Sequence, residues 1–559
     1  MPRIIANQNS ARATAQRSMA TISGDNMGAQ QTYNYIVVGG GSAGCVVTHR
    51  LAQAGHKVLL LEAGPSDNTP FVRMPATFVR VIGSERTWLY ETEPQAHAQG
   101  RRMHVPQGRT LGGGSSVNAM VYIRGQAADY DGWAAQGCTG WGWSEVLPWF
   151  RRAEANQVLS GPYHGTEGPL HVSETRHRHP LSSAFLQAAQ ECGLPYNHDF
   201  NGAQQAGVGY YQTTTHQGER ASTAATYLAA VRHLPNLTVV TGAEVLRVNL
   251  SGGRATGVAY RDARGAEQQA LASDEVVLSA GALATPKLLM LSGIGPGAHL
   301  QSMGIPVVRD LPGVGQNFQD HLEVSVYGRC REPISLAGQD RGLAALRHGL
   351  QWQLTRTGLL TSNVVESGGF VDTSGSGRPD VQFHVLPVLV GDVDREPLQG
   401  HGISINPCFL RPASRGSVAL ASPDPTAQAR FDGNFLAARQ DLDTLVRGVK
   451  LARRILRAPS LARHISAELA PSADEVLGDT EIEAYVRERA KTVYHPAGTC
   501  RMGAASDVDA VLDPELRVRG IAGLRVCDAS AMPTLVSGNT NAPVVMVAER
   551  CADFMLCGR

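Results

Sequence analysis

The chain has 559 residues, and its 50 Lys and Arg nearly balance its 49 Asp and Glu, leaving a formal net charge of +1. This length exceeds what one small core requires and predicts two or more domains. A nearly neutral chain lacks the basic surface that nucleic acid requires, so we expect no nucleic-acid partner. Glycine is in excess, at 61 residues, which predicts many turns and loops that approach a ligand closely.

The N-terminal residues differ in composition from the rest of the chain. Residues 1–32 are polar and contain one acidic residue, Asp25. They predict a flexible arm outside the folded domains, with a transit peptide as the less favoured alternative. The nine cysteines are scattered without a Cys-x-x-Cys pair, which favours a reducing compartment and predicts neither a disulfide framework nor a zinc site. The sequence contains no run of 18 consecutive apolar residues, so we expect no membrane-spanning helix.

The first predicted unit is a strand, a glycine loop, a helix and a second strand. The strand covers 35–38, the loop 39–44, the helix 45–54 and the second strand, predicted to be buried and parallel, 57–62. This order is typical of a βαβ unit that binds a dinucleotide at the start of its helix.

The loop residues each have an expected role in that unit. Gly39 permits a tight turn, Gly41 lets the backbone approach a pyrophosphate, and Gly44 lets the helix pack closely on the strand. Glu62 ends the second strand, where it is placed to accept hydrogen bonds from a ribose. The alternative is a glycine turn in an unrelated βαβ unit.

Later segments predict a second domain. Strands at 274–280 and 524–527 return to the first sheet, and 236–262 predicts a small antiparallel insertion. From about residue 326 the pattern changes to strands alternating with amphipathic helices. The clearest examples are the strands at 381–386, 403–410 and 417–421 and the helix at 441–456.

The predicted fold class is therefore α/β. A discontinuous, Rossmann-like FAD-binding domain is expected from 33–325 and 495–559, with an inserted α+β substrate domain built on an antiparallel sheet at 326–494. FAD is favoured over NAD because long insertions interrupt the nucleotide domain, which is completed only near the C-terminus. A second glycine loop at 109–118 offers a further surface for a large planar ligand.

Several motifs in order resemble those of the glucose–methanol–choline (GMC) oxidoreductases, and within them the bacterial acceptor-dependent alcohol dehydrogenases. The resemblance extends from about residue 33 to the C-terminus. Its motifs lie at 39–44 and 61–64, 108–125, 281–295, 313–321, 494–503, 527–533 and 537–543. It implies FAD-dependent oxidation of an alcohol, with electrons passed to a quinone or another acceptor. It also implies a cytoplasmic protein, with peripheral contact at the inner membrane as the alternative. No oligomeric state is predicted.

The resemblance also assigns the catalytic residues. His495 matches the family's catalytic histidine and is the expected general base, since imidazole has a pKa near neutrality. Asn539 matches the second active-site position and would donate to the substrate oxygen. The last helix is expected to begin near Asn539, with Thr540 or Asn541 as its N-cap and Pro543 as its first residue.

The expected cofactor site combines the glycine loops with positions implied by the resemblance. Some relatives attach FAD covalently through a histidine at the position of Val117, so valine here predicts non-covalent FAD. The candidate cofactor-binding residues are Gly39, Gly41, Ser42, Ala43, Gly44, Glu62, Ala63, Arg109, Gly114, Ser116, Asn118, Ala119, Met120, Val121, Val245, Asp528, Ala529, Asn539 and Thr540.

Other residues receive structural interpretations. His177 and His179 are expected in a solvated loop, and no metal site is predicted. Asp320 and His321 are interpreted as structural, and so is Arg220. No strongly amphipathic basic helix is evident in the sequence.

Three alternative functions stay open at this point. An oxygen-using alcohol oxidase would share every motif, because no motif reports oxygen reactivity. An FAD-containing hydroxynitrile lyase would share the scaffold. A choline dehydrogenase would require an aromatic and acidic cage, for which Trp352 and Glu366 are candidates.

Overall fold

The structure is a computed structural model that describes residues 31–391, 398–472 and 476–558. The predicted arm at 1–32 lies outside the described residues except for its last two, and Thr32 already begins the first strand. Within the described residues, no helix is both long and apolar enough to cross a bilayer.

A mixed, seven-stranded sheet contains the predicted βαβ unit. The first four strands in spatial order and the strand Leu524–Val526 pair in parallel. The remaining two strands pair antiparallel. The strands in spatial order are Leu237–Thr241, Val58–Glu62, Thr32–Val38, Glu267–Leu278, Arg254–Arg261 and Glu244–Ser251, with Leu524–Val526 also paired to Glu267–Leu278.

The register of the parallel strands brings their ends to one level. Val38 lies opposite Leu61 on one side and Leu278 on the other, and Leu278 lies opposite Val526. Because the carboxyl ends of parallel strands meet at the same edge of a sheet, the residues that follow these four strands converge there.

A second sheet of eight strands is antiparallel throughout its described pairings. Two of its strands, Gly207–Tyr210 and Leu322–Glu323, come from outside the range 326–494, and the division of the chain into the two predicted domains stays a prediction. The other strands are Ile465–Ala470, Val326–Cys330, Gly402–Phe409, Val381–Leu386, Ser367–Val371 and Lys491–Thr492.

Short strands form further small sheets. They are Thr87–Glu91 with His104–Gly108, Glu154–Asn156 with Leu170–Glu174 and Gln212–Thr213, Thr215–His216 with Glu219–Arg220, Ile294–Gly295 with Arg309–Asp310, and Ser417–Ala419 with Arg430–Asp432.

Helices cover both large sheets, and each sheet has its own apolar core. Arg439–Leu456 packs on the antiparallel sheet through buried residues such as Leu442, Leu445 and Val449. The α-helices are Ser42–Gln53, Pro70–Arg73, Gly114–Val117, Ala127–Ala135, Trp143–Ala153, Pro180–Glu191, Ala229–Val231, Ala284–Leu291, Gly297–Ser302, Gly342–Thr355, Arg439–Leu456, Pro459–Ala462, Asp479–Arg489 and Asn541–Leu556.

Several predicted elements are confirmed with shifted ends. The strand at 381–386 is unchanged, whereas the one predicted at 274–280 starts earlier, at Glu267. The strand predicted at 417–421 ends at Ala419 and pairs outside the large sheets. The helix at 342–355 was not singled out in the sequence, and it exposes a row of leucines to solvent.

The first helix packs as closely on its strand as Gly44 predicts. A Cβ atom at Gly44 would lie 1.9 Å from the carbonyl oxygen of Gly39, which is a rigid backbone atom. Only glycine allows this approach, so Gly44 fixes the position of the helix N-terminus relative to the edge of the sheet.

We expect Gly44→Ala to lower the free energy of unfolding by at least about 2 kcal/mol, because the added methyl group forces the helix away from the strand. Urea and thermal denaturation of the purified variant measure this change. The matched control is Gly132→Ala in Ala127–Ala135, where a Cβ meets nothing within 4 Å. The free energy of unfolding of this control should rise by about 1 kcal/mol, because alanine is favoured over glycine in a helix interior. Equal stability of both variants would contradict the packing argument.

Candidate active site

A cavity of about 1310 Å³ lies where the first sheet's carboxyl edge faces the antiparallel sheet. Ordinary ligand pockets hold roughly 300–1,000 Å³, so this cavity has room for more than a small substrate. Predicted site residues that line it are Gly39, Gly41, Ser42, Ala43, Glu62, Ala63, Gly114, Asn118, Ala119, Met120, Val121, Val245, His495, Asp528, Ala529, Asn539 and Thr540.

Three predicted cofactor residues are not among the lining residues. Gly44 packs the first helix on its strand, as described above. Ser116 donates its hydroxyl to the carbonyl of Leu111 at 2.6 Å and so closes the second glycine loop. Arg109 stacks 4.5 Å above the ring of Trp88, which does line the cavity.

The two glycine loops touch at the edge of the first sheet. A Cβ atom on Gly113 would lie 2.7 Å from the Cα of Gly41, so the two backbones are in direct contact. Glu62 holds the first loop in place, since its carboxylate accepts hydrogen bonds from the amides of Gly40 and Gly64, both at 2.8 Å. Burial raises the pKa of Glu62 to about 7, although both amides favour the charged form.

Arg220 braces the second glycine loop. Its guanidinium donates to the carbonyl of Ser115 at 3.0 Å and to the carbonyl and side-chain oxygens of Asn118 at 2.8 Å. Burial lowers the pKa of Arg220 to about 9. The Asn118 side chain in turn accepts from the amide of Met120, which adopts a left-handed φ of 59°. Such strained residues persist only where the surroundings fix them.

The cavity wall offers polar groups that lack protein partners. Buried side-chain atoms without a hydrogen bond occur on five lining residues, Ser279, His348, His384, Asn406 and Asn541. Buried polar atoms are normally paired, so these atoms indicate a polar ligand. The first and last helices also begin at the cavity, and a helix N-terminus favours an anionic group such as a phosphate. These features fit a dinucleotide such as FAD.

His495 lies in the cavity wall, and hydrogen bonds to its backbone and its ring hold it in position. Its backbone amide donates to Asp320 at 2.8 Å, and Tyr494 before it has a left-handed φ of 68°. The Nδ1 atom of His495 lies 3.0 Å from the Nδ1 atom of His321. Burial, with smaller contributions from His321 and His384, lowers the pKa of His495 well below its ordinary range, so its imidazole is neutral at pH 7.

The hydrogen bonds also define which nitrogen of His495 carries the proton. Nε2 of His321 lies 2.9 Å from the carbonyl of Leu410, which can only accept, so this nitrogen is protonated. Burial lowers the pKa of His321 to about 4, so the ring is neutral and its Nδ1 accepts. His495 must therefore donate from Nδ1, which leaves its Nε2 unprotonated, with a lone pair that can accept.

Asn539 faces that lone pair. Its Nδ2 atom lies 3.5 Å from Nε2 of His495, and its Oδ1 atom accepts from Nε2 of Gln382 at 3.0 Å. Gln382 thus orients the amide so that its NH₂ group points toward His495. The arrangement places a proton acceptor and a hydrogen-bond donor side by side in the cavity wall.

Sequence reasoning missed two features of this wall. His321, interpreted as merely structural, contacts His495 directly. His384 donates from Nδ1 to the carboxylate of Glu323 at 2.9 Å, while its Nε2 lacks a protein partner. Gln382 and His384 alternate in an otherwise apolar strand, so polar residues at period two were the available signal.

The start of the last helix differs from the prediction. The helix begins at Asn541, so Pro543 is its third residue rather than its first, where its missing N–H is equally harmless. Thr540 occupies the N-cap position without a side-chain cap bond. Asn541 caps nothing and instead donates to Ser42 at 2.9 Å, which ties the last helix to the first.

Two further expectations change. His177 is not in a solvated loop, because it bonds to the buried Glu366 at 2.8 Å, and the backbone of His179 donates to the same carboxylate. Glu366 and Trp352, the cage candidates, do not line the cavity. Within the described ranges, no group of His, Cys, Asp and Glu could hold a metal ion.

The comparisons with known proteins agree with these motifs. Two family models, both described as GMC oxidoreductase, match residues 33–323 and 412–548. An alcohol dehydrogenase [acceptor] from Pseudomonas putida is 45% identical over 94% of this chain and 96% of its own length. Mitochondrial choline dehydrogenase from Mus musculus is 44% identical, covering 94% and 89%.

A solved structure shares the fold over nearly the whole chain. Pyridoxine 4-oxidase from Mesorbium loti has a TM-score of 0.84 and 31% identity, covering 93% of this chain and 98% of its own. The predicted enzyme class, an FAD-dependent oxidoreductase acting on CH–OH donors, is confirmed. The chain therefore belongs to the GMC oxidoreductase family.

Proposed function

We propose that the protein oxidises an alcohol to an aldehyde or ketone with non-covalent FAD and passes the electrons to a quinone-type acceptor. The observation that carries this proposal is the unprotonated Nε2 of His495 beside the amide of Asn539 in the cavity wall. An alcohol oxidation requires these two groups, a base for the hydroxyl proton and a donor for the developing alkoxide.

His495 acts as the general base in this proposal. Its Nε2 atom accepts the hydroxyl proton. The resulting imidazolium still donates a hydrogen bond from its Nδ1 to His321. The lowered pKa keeps the base unprotonated at neutral pH before the substrate arrives. Because Leu410 and His321 fix the tautomer, the lone pair faces the cavity in every turnover.

Asn539 stabilises the oxygen that loses its proton. An amide N–H can donate to an alkoxide without competing for the proton, and Gln382 holds the amide in that orientation. The carbinol carbon releases its hydride as the C–O bond becomes a carbonyl.

FAD, when bound, supplies the hydride acceptor at its N5 atom. The loops around Gly41 and Gly114 and the N-terminus at Ser42 would hold its pyrophosphate, and Glu62 would face its ribose. Asn118, Ala119 and Met120 would lie against its ring system. The carboxylate of Asp528 already accepts from Thr285 at 2.6 Å and Gly281 at 2.8 Å, so it would shape the wall rather than bind directly.

The substrate side of the cavity favours an apolar alcohol over choline. The described lining there is rich in aliphatic and aromatic residues, namely Phe78, Leu336, Leu360, Val364, Val365, Leu386, Val388 and Leu389. Neither Glu366 nor Trp352 faces the cavity, so the cage that choline would require lacks its two candidates. The similarity to an acceptor-dependent alcohol dehydrogenase supports a non-oxygen acceptor. The cytoplasmic location stays a proposal.

A primary aliphatic alcohol should bleach the bound flavin under anaerobic conditions, and His495→Ala should slow this reduction by about 10²- to 10⁴-fold because the proton acceptor is lost. Stopped-flow absorbance measures the rate. His97→Ala, an exposed histidine outside the cavity, is the matched control and should bleach normally.

Undiminished bleaching in His495→Ala would contradict the assignment of the base. A flavin that no alcohol bleaches, together with cyanohydrin cleavage, would instead identify a lyase. Reoxidation of the reduced flavin by oxygen as fast as by a quinone analogue would identify an oxidase.

His321→Leu should lower the rate of flavin reduction by about 10- to 100-fold while leaving KM nearly unchanged, since it removes the acceptor for the Nδ1 proton of His495. His321→Asn keeps an oxygen acceptor near the same position and should restore most of the rate. If both variants lost activity equally, His321 would be a packing residue rather than a positioning residue.

We expect acid precipitation of the purified protein to leave a colourless pellet and a yellow supernatant. Val117 lines the cavity but has no nucleophilic atom, and none of the described lining residues is a cysteine. A yellow pellet after washing would show a covalent link and overturn the prediction of non-covalent FAD.

A further inference from the structure

Asp129 is a buried carboxylate that joins three separate segments of the chain. It is the third residue of the helix Ala127–Ala135, and its side chain is 4% exposed. As in a capping box, one carboxylate oxygen accepts from the backbone amide of Gln126 at 2.8 Å. Three further hydrogen bonds reach the carboxylate from Arg378 and Ser537. Capping requires only one acceptor and does not account for the other three bonds.

The first of these contacts fixes Ser537, which lies two residues before Asn539. The amide and the hydroxyl of Ser537 donate to Asp129 at 2.8 and 2.9 Å, and its carbonyl accepts from Gln205 at 2.9 Å. Ser537 is fully buried, and all three of its polar groups are bonded in this way. Side chains from distant parts of the chain therefore set the position of its backbone.

The short connection from Ser537 to Asn539 passes this position on to the donor. Gly538 has a φ of 149°, and a Cβ atom there would lie 2.4 Å from Cγ2 of Ile123, so the backbone packs closely on that side chain. Asn541 on the other side is tied to the first helix, as described above. The backbone of Asn539 thus lies between two fixed points, and a shift of Ser537 would move it.

The second contact reaches the segment that orients the side chain of Asn539. Arg378 forms an ion pair with the carboxylate of Asp129. It lies four residues before Gln382, whose amide donates to the side-chain oxygen of Asn539 at 3.0 Å. Asp129 therefore ties the segment that carries the donor to the segment that turns the donor's NH₂ group toward the base.

The charge of Asp129 strengthens this connection. Burying a carboxylate costs free energy unless the charge is paired and hydrogen-bonded, and Asp129 satisfies both conditions through Arg378 and three other hydrogen bonds. Bonds to a charged acceptor are shorter and stronger than those to a neutral one. A neutral capping side chain would hold the same segments less firmly.

We propose that Asp129 is a positioning residue of the reaction, because it joins the segments that carry Asn539 and Gln382 and so holds the amide donor at the developing alkoxide. This role rests on the proposed function, in which Asn539 donates to the substrate oxygen. A donor displaced by about 1 Å costs up to about 10²-fold in rate. Asp129 does not line the cavity, so the affinity for the alcohol should change little.

Asp129→Asn tests this role, since it keeps the size of the side chain but replaces two acceptor oxygens by one. We expect the limiting rate of anaerobic flavin reduction to fall about 10- to 100-fold. The half-saturating concentration of alcohol should change by less than about threefold, as expected for an interaction made in the transition state. Stopped-flow absorbance of the FAD-loaded enzyme at several alcohol concentrations measures both quantities.

A double-mutant cycle with Asn539→Ala separates positioning from a general effect on the structure. Asn539→Ala alone should slow flavin reduction by about 10²- to 10³-fold, since one donor to the alkoxide is lost. Adding Asp129→Asn should slow the reaction by less than about twofold further, because this residue acts through the donor already removed. A residue with only a structural role would slow both backgrounds by the same factor.

The matched control is Glu145→Gln, which makes the same change from acid to amide in the capping box of the neighbouring helix Trp143–Ala153. Glu145 accepts from the amide of Gly142 at 2.9 Å and does not line the cavity. This variant should reduce its flavin at the rate of the unchanged protein.

Ser537→Ala provides a second variant if Asp129→Asn does not fold, because it removes only the hydroxyl bond to the carboxylate. It should slow flavin reduction about three- to tenfold, and only while Asn539 is present. The flavin spectrum and the urea unfolding midpoint show whether each variant is folded.

Two results would overturn the proposal. One is an unchanged rate in folded Asp129→Asn, or in Ser537→Ala where the former does not fold. The other is equal slowing by these substitutions with and without Asn539. Full-rate reduction in Asn539→Ala is a distinguishable result, because it removes the donor from the proposed function and the positioning role with it.

Discussion

The register of the parallel strands is the constraint on which the rest of the structure depends. Since Val38, Leu61, Leu278 and Val526 end at one level, the first glycine loop, Glu62, Ser279 and Asp528 are brought to the same edge. Residues that are hundreds of positions apart thereby form one wall. A shift of any one of these strands by one residue would turn its side chains to the other face of the sheet.

Glycine permits the approaches that this edge demands. Gly44 allows the first helix to begin against its strand, and Gly113 allows the second loop to touch Gly41. Two buried charged side chains hold the glycine loops in place through hydrogen bonds. Glu62 fixes one loop through two amides, and Arg220 fixes the other through three oxygens.

The antiparallel sheet completes the site from the other side. Its strands carry Gln382 and His384, and the segment before it carries His321, so the orientation of both active-site residues depends on that sheet. The base and the donor come from segments near the C-terminus, whereas the groups that orient them come from earlier parts of the chain.

The local sequence determined the elements whose signals are local: the βαβ unit with Gly39, Gly41 and Gly44, most buried strands, and the motifs that contain His495 and Asn539. Its period-two and period-3.6 patterns report burial along one element, and they were sufficient for the strand at 381–386 and the helix near 441–456. The tautomer of His495, the orientation of Asn539 and the partners of Glu366 were decided only by the tertiary structure. Each depends on atoms from distant segments meeting within about 3 Å, and no periodicity in the chain encodes such a distance.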